Sequence, residues 1–238
     1  NWITEVKKNL FKKHPYRWAP IGSMEHLDAA TLEEFQDFNK KFYVPNNAVL
    51  VIAGDIEFAK TKELVSKYFG VIKKGADVPR VNIQEDEITK PILATAEDPN
   101  IQIPMYITAY RTPSMKTREA RVLDMVSSYL SGGKSSPMQK KIVDEKKMAL
   151  QLFAFNYAQE DYGMYLIAGL PMGETTREAL QAEIDAEIAK LQTELISERD
   201  YQKLQNEFEN RYVNGNSNLE TLAENLASNY LLYGDINL

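Results

Sequence analysis

The chain has 238 residues, 44% of them apolar and 26% charged, with a net charge of −6 and no cysteine. The length and apolar content suffice for a core in one large domain or two small ones. The composition excludes disulfides and thiolate-held zinc, disfavours a nucleic-acid partner and includes no apolar run long enough to span a membrane.

The opening residues lack the apolar stretch and cleavage site of a secretory leader. Residues 2–13 predict an amphipathic helix with Ile3, Val6, Leu10 and Phe11 on one side. His14-Pro15 ends it, because a residue before proline avoids helical geometry. A loop containing Pro20, Gly22, Glu25 and His26 follows. Thr31-x-x-Glu34 is a capping box opening a helix to Tyr43, with Leu32, Phe35, Phe38 and Phe42 on one face. Ala48 to Gly54, "AVLVIAG", is a short β-branched run bounded by turn residues, and predicts a strand buried on both faces. Residues 58–69 predict a helix closed by Gly70. The polar, proline-bearing stretch after Lys73 reads as a connection, giving an expected division into 1–77, a linker at 78–100, and 101–238.

The second part opens with a strand at 101–112, Pro104 marking an irregular start. A helix at 114–130 is closed by Gly132-Gly133, and Ser136-Pro137 opens a shorter one to Lys147. Residues 148–158 and 162–171 form a hairpin. Three helices follow, capped by Thr175, Ser197 and Ser217. Strands and helices come in blocks, so the expected class is α+β, two similar two-layer units of helices packed on mainly antiparallel or mixed sheets.

Candidate chemistry is sparse. A catalytic zinc takes about three protein ligands and an open position, but the histidines are only His14 and His26. "GSMEH" places Glu25 and His26 at the last two positions of a His-x-x-Glu-His zinc motif, with Gly22 at the first, which has no side chain to bind metal. "GGKSS", 132–136, has the Gly-Lys-Ser tail of a phosphate loop, but Ser128 stands where the first glycine belongs and a helix precedes it. With no cysteine and no histidine placed beside a serine, a nucleophile triad is unsupported. Acid pairs at Glu33/Glu34 and Glu85/Asp86 read as a helix start and a solvated linker, and lysine clusters such as Lys7/Lys8 as solvated faces. These readings give no catalytic residue, no metal ligand and no defined substrate-binding residue.

The order of landmarks nonetheless resembles a known family. His14-Pro15-Tyr16, Ile21-Gly22, the Thr31-led helix, Pro45-Asn46-Asn47, the run ending Gly54-Asp55 and the helix ending Tyr68-Phe69-Gly70 are similar to the pitrilysin/insulinase-type zinc metallopeptidases, which include the mitochondrial processing peptidase. "YITAYRTP" and "YLSGGKSSPMQKKIVDEKKMA" resemble the next domain of that family. The resemblance implies that 1–77 is the end of the zinc-bearing domain and 101–238 most of a second, non-catalytic one. It also implies that the family's His-x-x-Glu-His and its further Glu ligand precede the "HPY" landmark and map onto no position here. The family's substrate-binding Arg and Tyr, seven residues apart, map onto Asp144 and Gln151, so that pair is absent too.

The implied function is a wall and scaffold segment of a zinc-dependent endopeptidase that encloses peptides or unfolded proteins between two halves. The second half would come from the same polypeptide or from a partner subunit. The alternatives are an inactive homologue serving as a structural or partner-binding subunit, and an unrelated binding domain without two α+β units. The residues encoded before Asn1 distinguish the first two.

Overall fold

A computed structural model of the protein describes residues 2–80 and 82–237. It has the expected α+β character, and its backbone falls into two compact units. One comprises Asn1–Leu10 with Ile92–Arg211, the other Phe11–Pro91 with Tyr212–Leu238. No described helix is long and apolar enough to cross a membrane.

The first unit is built on a three-stranded antiparallel sheet in the order β1-β3-β2, with β1 Tyr106–Pro113, β2 Ala149–Tyr157 and β3 Tyr162–Pro171. β2 and β3 are the predicted hairpin, and β1 starts later than predicted, after Pro104. Helices α5, Arg118–Ser131, and α6, Arg177–Thr193, cover one face with a π-helical turn, Gln139–Glu145. Leu130, Met138, Ile142, Leu180 and Ile184 pack there against Ala149, Leu152, Ala154, Tyr165 and Ile167 in one buried cluster. Alternation along β3 turns Met164, Leu166 and Ala168 to the other face, where they are also buried. Helix α1, Trp2–Leu10, meets that face: Lys7 Nζ lies 5.3 Å from the Tyr157 ring centroid, and Arg111 Nη1 donates to the Leu10 carbonyl at 3.0 Å.

A β-bulge between Ala149 and Gln151 sets the face that β2 buries. The extra residue, Leu150, puts Ala149 and Leu152 on the same side of the sheet although they are three apart. Gly169 faces Leu152, and a Cβ there would come within 2.8 Å of the Leu152 side chain and 3.1 Å of Leu180.

In the second unit, helices α2, Met24–Ala29, α3, Leu32–Phe42, and α4, Phe58–Phe69, form, as do short 3-10 turns at Pro15–Arg17 and Pro45–Asn47. The Thr31–Glu34 capping box is present in both directions. Residues 48–54 do not form the predicted strand; they join no sheet, and most are exposed. A strand exists only through hydrogen bonds to a neighbour, and among the described residues of this unit no segment lies beside it as one. Phe11 and His14 are the buried residues of this unit among those described. Helices α7, Glu198–Gly215, and α8, Leu219–Tyr233, complete the chain.

Two caps shift by one residue. α6 is capped by Thr176, whose side chain accepts from Ala179 N–H, and α8 by Asn218, accepting from Thr221 N–H. Each predicted cap, Thr175 or Ser217, has a neighbour equally able to cap, and local propensity does not separate them.

Candidate functional site

The zinc-like echo at Gly22–His26 resolves into a helix start. Ser23 caps α2 by accepting from His26 N–H at 3.3 Å, and Gly22 takes a φ of +76° in the turn before it. Glu25 and His26 therefore lie within a short helix and not in a loop, which corrects the sequence reading. Both are exposed. The Ser-x-x-His spacing gives the backbone amide of His26 a local acceptor, so the signal for this helix start lies in Ser23.

His14 is 2% exposed. Its Nδ1 accepts from Tyr16 N–H at 3.2 Å, and its ring lies 4.2 Å from that of Tyr16, edge-on. The histidine is held by its own turn, with one ring nitrogen already occupied. Among the described residues, no three His, Asp or Glu side chains come together to hold a metal ion. The donor set of the described residues does not fit a zinc centre, and no chemical step is derived through one here.

By sequence, Glu85 reads as part of a solvated linker. In the fold its carboxylate clamps the turn after α1. Lys12 N–H donates to both oxygens at 2.9 and 3.0 Å, Lys13 N–H to Oε1 at 2.7 Å and His14 N–H to Oε1 at 2.6 Å. Lys13 Nζ adds an ion pair to Asp86. Successive amides converging on one anion make a backbone nest. No sequence signal links it to an acid some seventy residues away.

The phosphate-loop echo is likewise structural. Gly132 ends α5 by donating to the Ser128 carbonyl, Gly133 takes a φ of +133°, and Ser136 Oγ donates to the Gly133 carbonyl at 2.7 Å. Asp144, where the resemblance puts the family's Arg, accepts from the Gln139 side chain at 3.0 Å. Gln151, where the resemblance puts the family's Tyr, lies on β2 just past the bulge.

Two surface features stand out. A groove of about 560 Å³ lies at the end of the sheet, walled by Ile103, Tyr106, Leu150, Pro171 and Met172, with the first turn of α6 at its rim. The second unit exposes several large apolar side chains: Phe35 and Phe38 on α3 are each 56% exposed and Phe58 on α4 78%, with Leu50 and Ile52 of the unpaired run also open.

A profile of the peptidase M16 inactive domain matches residues 29–208. This chain belongs to the peptidase M16 family. As a member it is similar to the zinc protease PqqE of Helicobacter pylori, 30% identical over 227 residues, which cover 94% of this chain and 50% of that protein. The chain thus spans about half the length of the curated relatives it matches. The crystal structure of a protease from Helicobacter pylori superposes with a TM-score of 0.75 at 28% identity, covering 94% of this chain and 54% of that one. An M16 inactive domain from Pseudomonas fluorescens has the same TM-score at 14% identity, over 98% of this chain and 55% of that one, and shares the fold. The M16 match agrees with the family resemblance carried by the "HPY" and "GGKSS" landmarks.

Proposed function

We propose that this M16 chain is a non-catalytic segment of a zinc-dependent metalloendopeptidase, forming wall and scaffold of a chamber that encloses peptide or unfolded protein. In this reading, 1–77 ends a zinc-bearing domain, 78–100 is a connection, and 101–238 makes most of the following domain. Zinc is held by residues that this chain does not contribute. The complementary half comes from the same polypeptide or from a partner subunit.

The observation that supports this most directly is the apolar surface of the second unit around the unpaired run at 48–54. Seven residues of strand-type sequence outside any sheet, in a unit whose helices present Phe35, Phe38 and Phe58 to solvent, call for a sheet against them. The chain spans about half of its curated relatives, which leaves ample polypeptide to supply one. The PqqE relative is named a zinc protease, in keeping with the same reading.

The test compares the purified 238-residue chain with a longer polypeptide that carries it. The chain alone is expected to show no zinc-dependent peptide cleavage, and the longer protein to show it. Amides at 48–54 are expected to exchange freely in the former and to be protected in the latter. Cleavage by the short chain with contaminants excluded, or unprotected 48–54 amides in an active longer protein, refutes the proposal.

A further inference from the structure

Three backbone irregularities follow one another between α5 and the hairpin. Gln139–Glu145 is a π-helix, with Lys146 N–H donating five residues back to the Lys141 carbonyl at 3.0 Å. Lys147 has a φ of 55° and is the one non-glycine residue at positive φ among those described. Leu150 is the extra residue of the β2 bulge. π-helices and left-handed non-glycine residues are both costly and uncommon, and persist where the surroundings enforce them.

The surroundings here are ionic. Glu187 on α6, 6% exposed, accepts from Lys141 Nζ at 3.0 Å and from Lys190 Nζ at 2.6 Å, and Lys146 pairs with Glu183 of the same helix. Lys141 and Lys146 lie in the π-turn and at its end, so α6 grips the irregular turn at two points.

A π-turn stores one residue more than an α-turn, and a β-bulge stores one residue more than its partner strand. The two surpluses flank a stretch of only four residues, 146–149. Relaxing the π-turn to an α-turn passes its surplus residue into the strand and moves the intervening residues along by one position. A slip of one residue turns side chains to the opposite face of the sheet. Leu150 sits where that matters, because it forms a wall of the groove with Ile103, Tyr106, Pro171 and Met172.

We propose that residues 139–151 are a two-state segment whose one-residue slip, restrained by the ion pairs of Lys141 and Lys146 to α6, moves Leu150 and so gates the groove at the end of the sheet. This device depends on the chain's own geometry and stands apart from the peptidase reading.

Amide hydrogen exchange under native conditions tests it with two variants that act in opposite directions. Glu183→Gln with Glu187→Gln removes the restraint, and exchange at 141–151 accelerates at least tenfold. Lys147→Gly removes the penalty of the left-handed residue in the observed form, and exchange there slows at least twofold. In both, amides of β3 at 164–168 stay within twofold of the parent. Relaxation dispersion, which reads microsecond-to-millisecond exchange, then shows one shared process across 143–151. The proposal is overturned if Lys147→Gly leaves exchange unchanged or faster, if β3 moves with the segment, or if each residue frays with its own rate. Should the double variant fail to fold, Lys147→Gly and the dispersion data decide alone.

Discussion

Replacing Glu85 by alanine removes the carboxylate that gathers the amides of Lys12, Lys13 and His14 at 2.6 to 3.0 Å. A hydrogen bond to a charged acceptor is worth about 1.5–3 kcal/mol, and a buried donor left without a partner loses its full desolvation energy. Lys12 and Lys13 are exposed, so their amides regain water; His14 is 2% exposed and its amide does not. The loss is therefore dominated by one buried amide with small additions from the other two, about 2–3 kcal/mol in total. At 1.4 kcal/mol per factor of ten, exchange at 12–14 should accelerate roughly 30- to 150-fold. Glu85→Gln keeps one neutral oxygen acceptor and should cost about 1 kcal/mol. Amide exchange resolved to single residues is the assay, with β3 as an internal reference. Less than threefold acceleration at His14 in Glu85→Ala, or equal acceleration in β3, would show that the nest is not what holds this turn.

Gly163→Ala should destabilise the hairpin by about 1–3 kcal/mol in urea unfolding, because the new Cβ would lie 2.5 Å from Thr112 Oγ1 and 3.1 Å from the Tyr157 carbonyl; an unchanged midpoint refutes that. Thr176→Ala should cost about 1 kcal/mol and Thr175→Ala much less, since it is Thr176 that accepts from Ala179 N–H; equal effects would place the cap elsewhere. Burial raises the pKa of Glu187, but the hydrogen bonds and charges of Lys190 and Lys141 outweigh it, and the carboxyl lies below its usual range. A lowered folded-state pKa means stability that is present above the ordinary Glu range and lost as pH falls through the lowered value. Urea midpoints of the parent and of Glu187→Gln should accordingly converge on acidification, and a gap that stays constant with pH contradicts the ion-pair account.

Much of this architecture was legible because its signals are local. The Thr31–Glu34 capping box closes within four residues, and the helix ending at Phe69 is followed by Gly70 as expected. The hairpin from Ala149 to Pro171 follows from two apolar runs across a short polar turn. Where two capping residues stood side by side, at Thr175/Thr176 and Ser217/Asn218, the local signal was degenerate and the predicted starts were off by one. The family, too, was legible, because its landmarks are turn and helix-end residues in a fixed order.

Other features had no local signal. "AVLVIAG" has the composition of a buried strand, yet it is unpaired, since a strand depends on what lies beside it. Glu85 looked like one acid of a polar linker until the fold brought it to the amides of residues 12–14. Glu187 carries no local signal either; its role rests on Lys141 and Lys190, which donate to it in the fold.

The sequence by itself determined the α+β class, most helix boundaries, the hairpin and the family resemblance, because hydrophobic periodicity and capping act over a turn or two of chain. Only the tertiary structure decided that β1 joins the far side of the hairpin, that Glu85 gathers the amides of residues 12–14, and that α6 pairs with the lysines of the π-turn. Those outcomes depend on contacts between residues far apart in the chain, whose strength comes from burial and from charges brought within hydrogen-bonding distance.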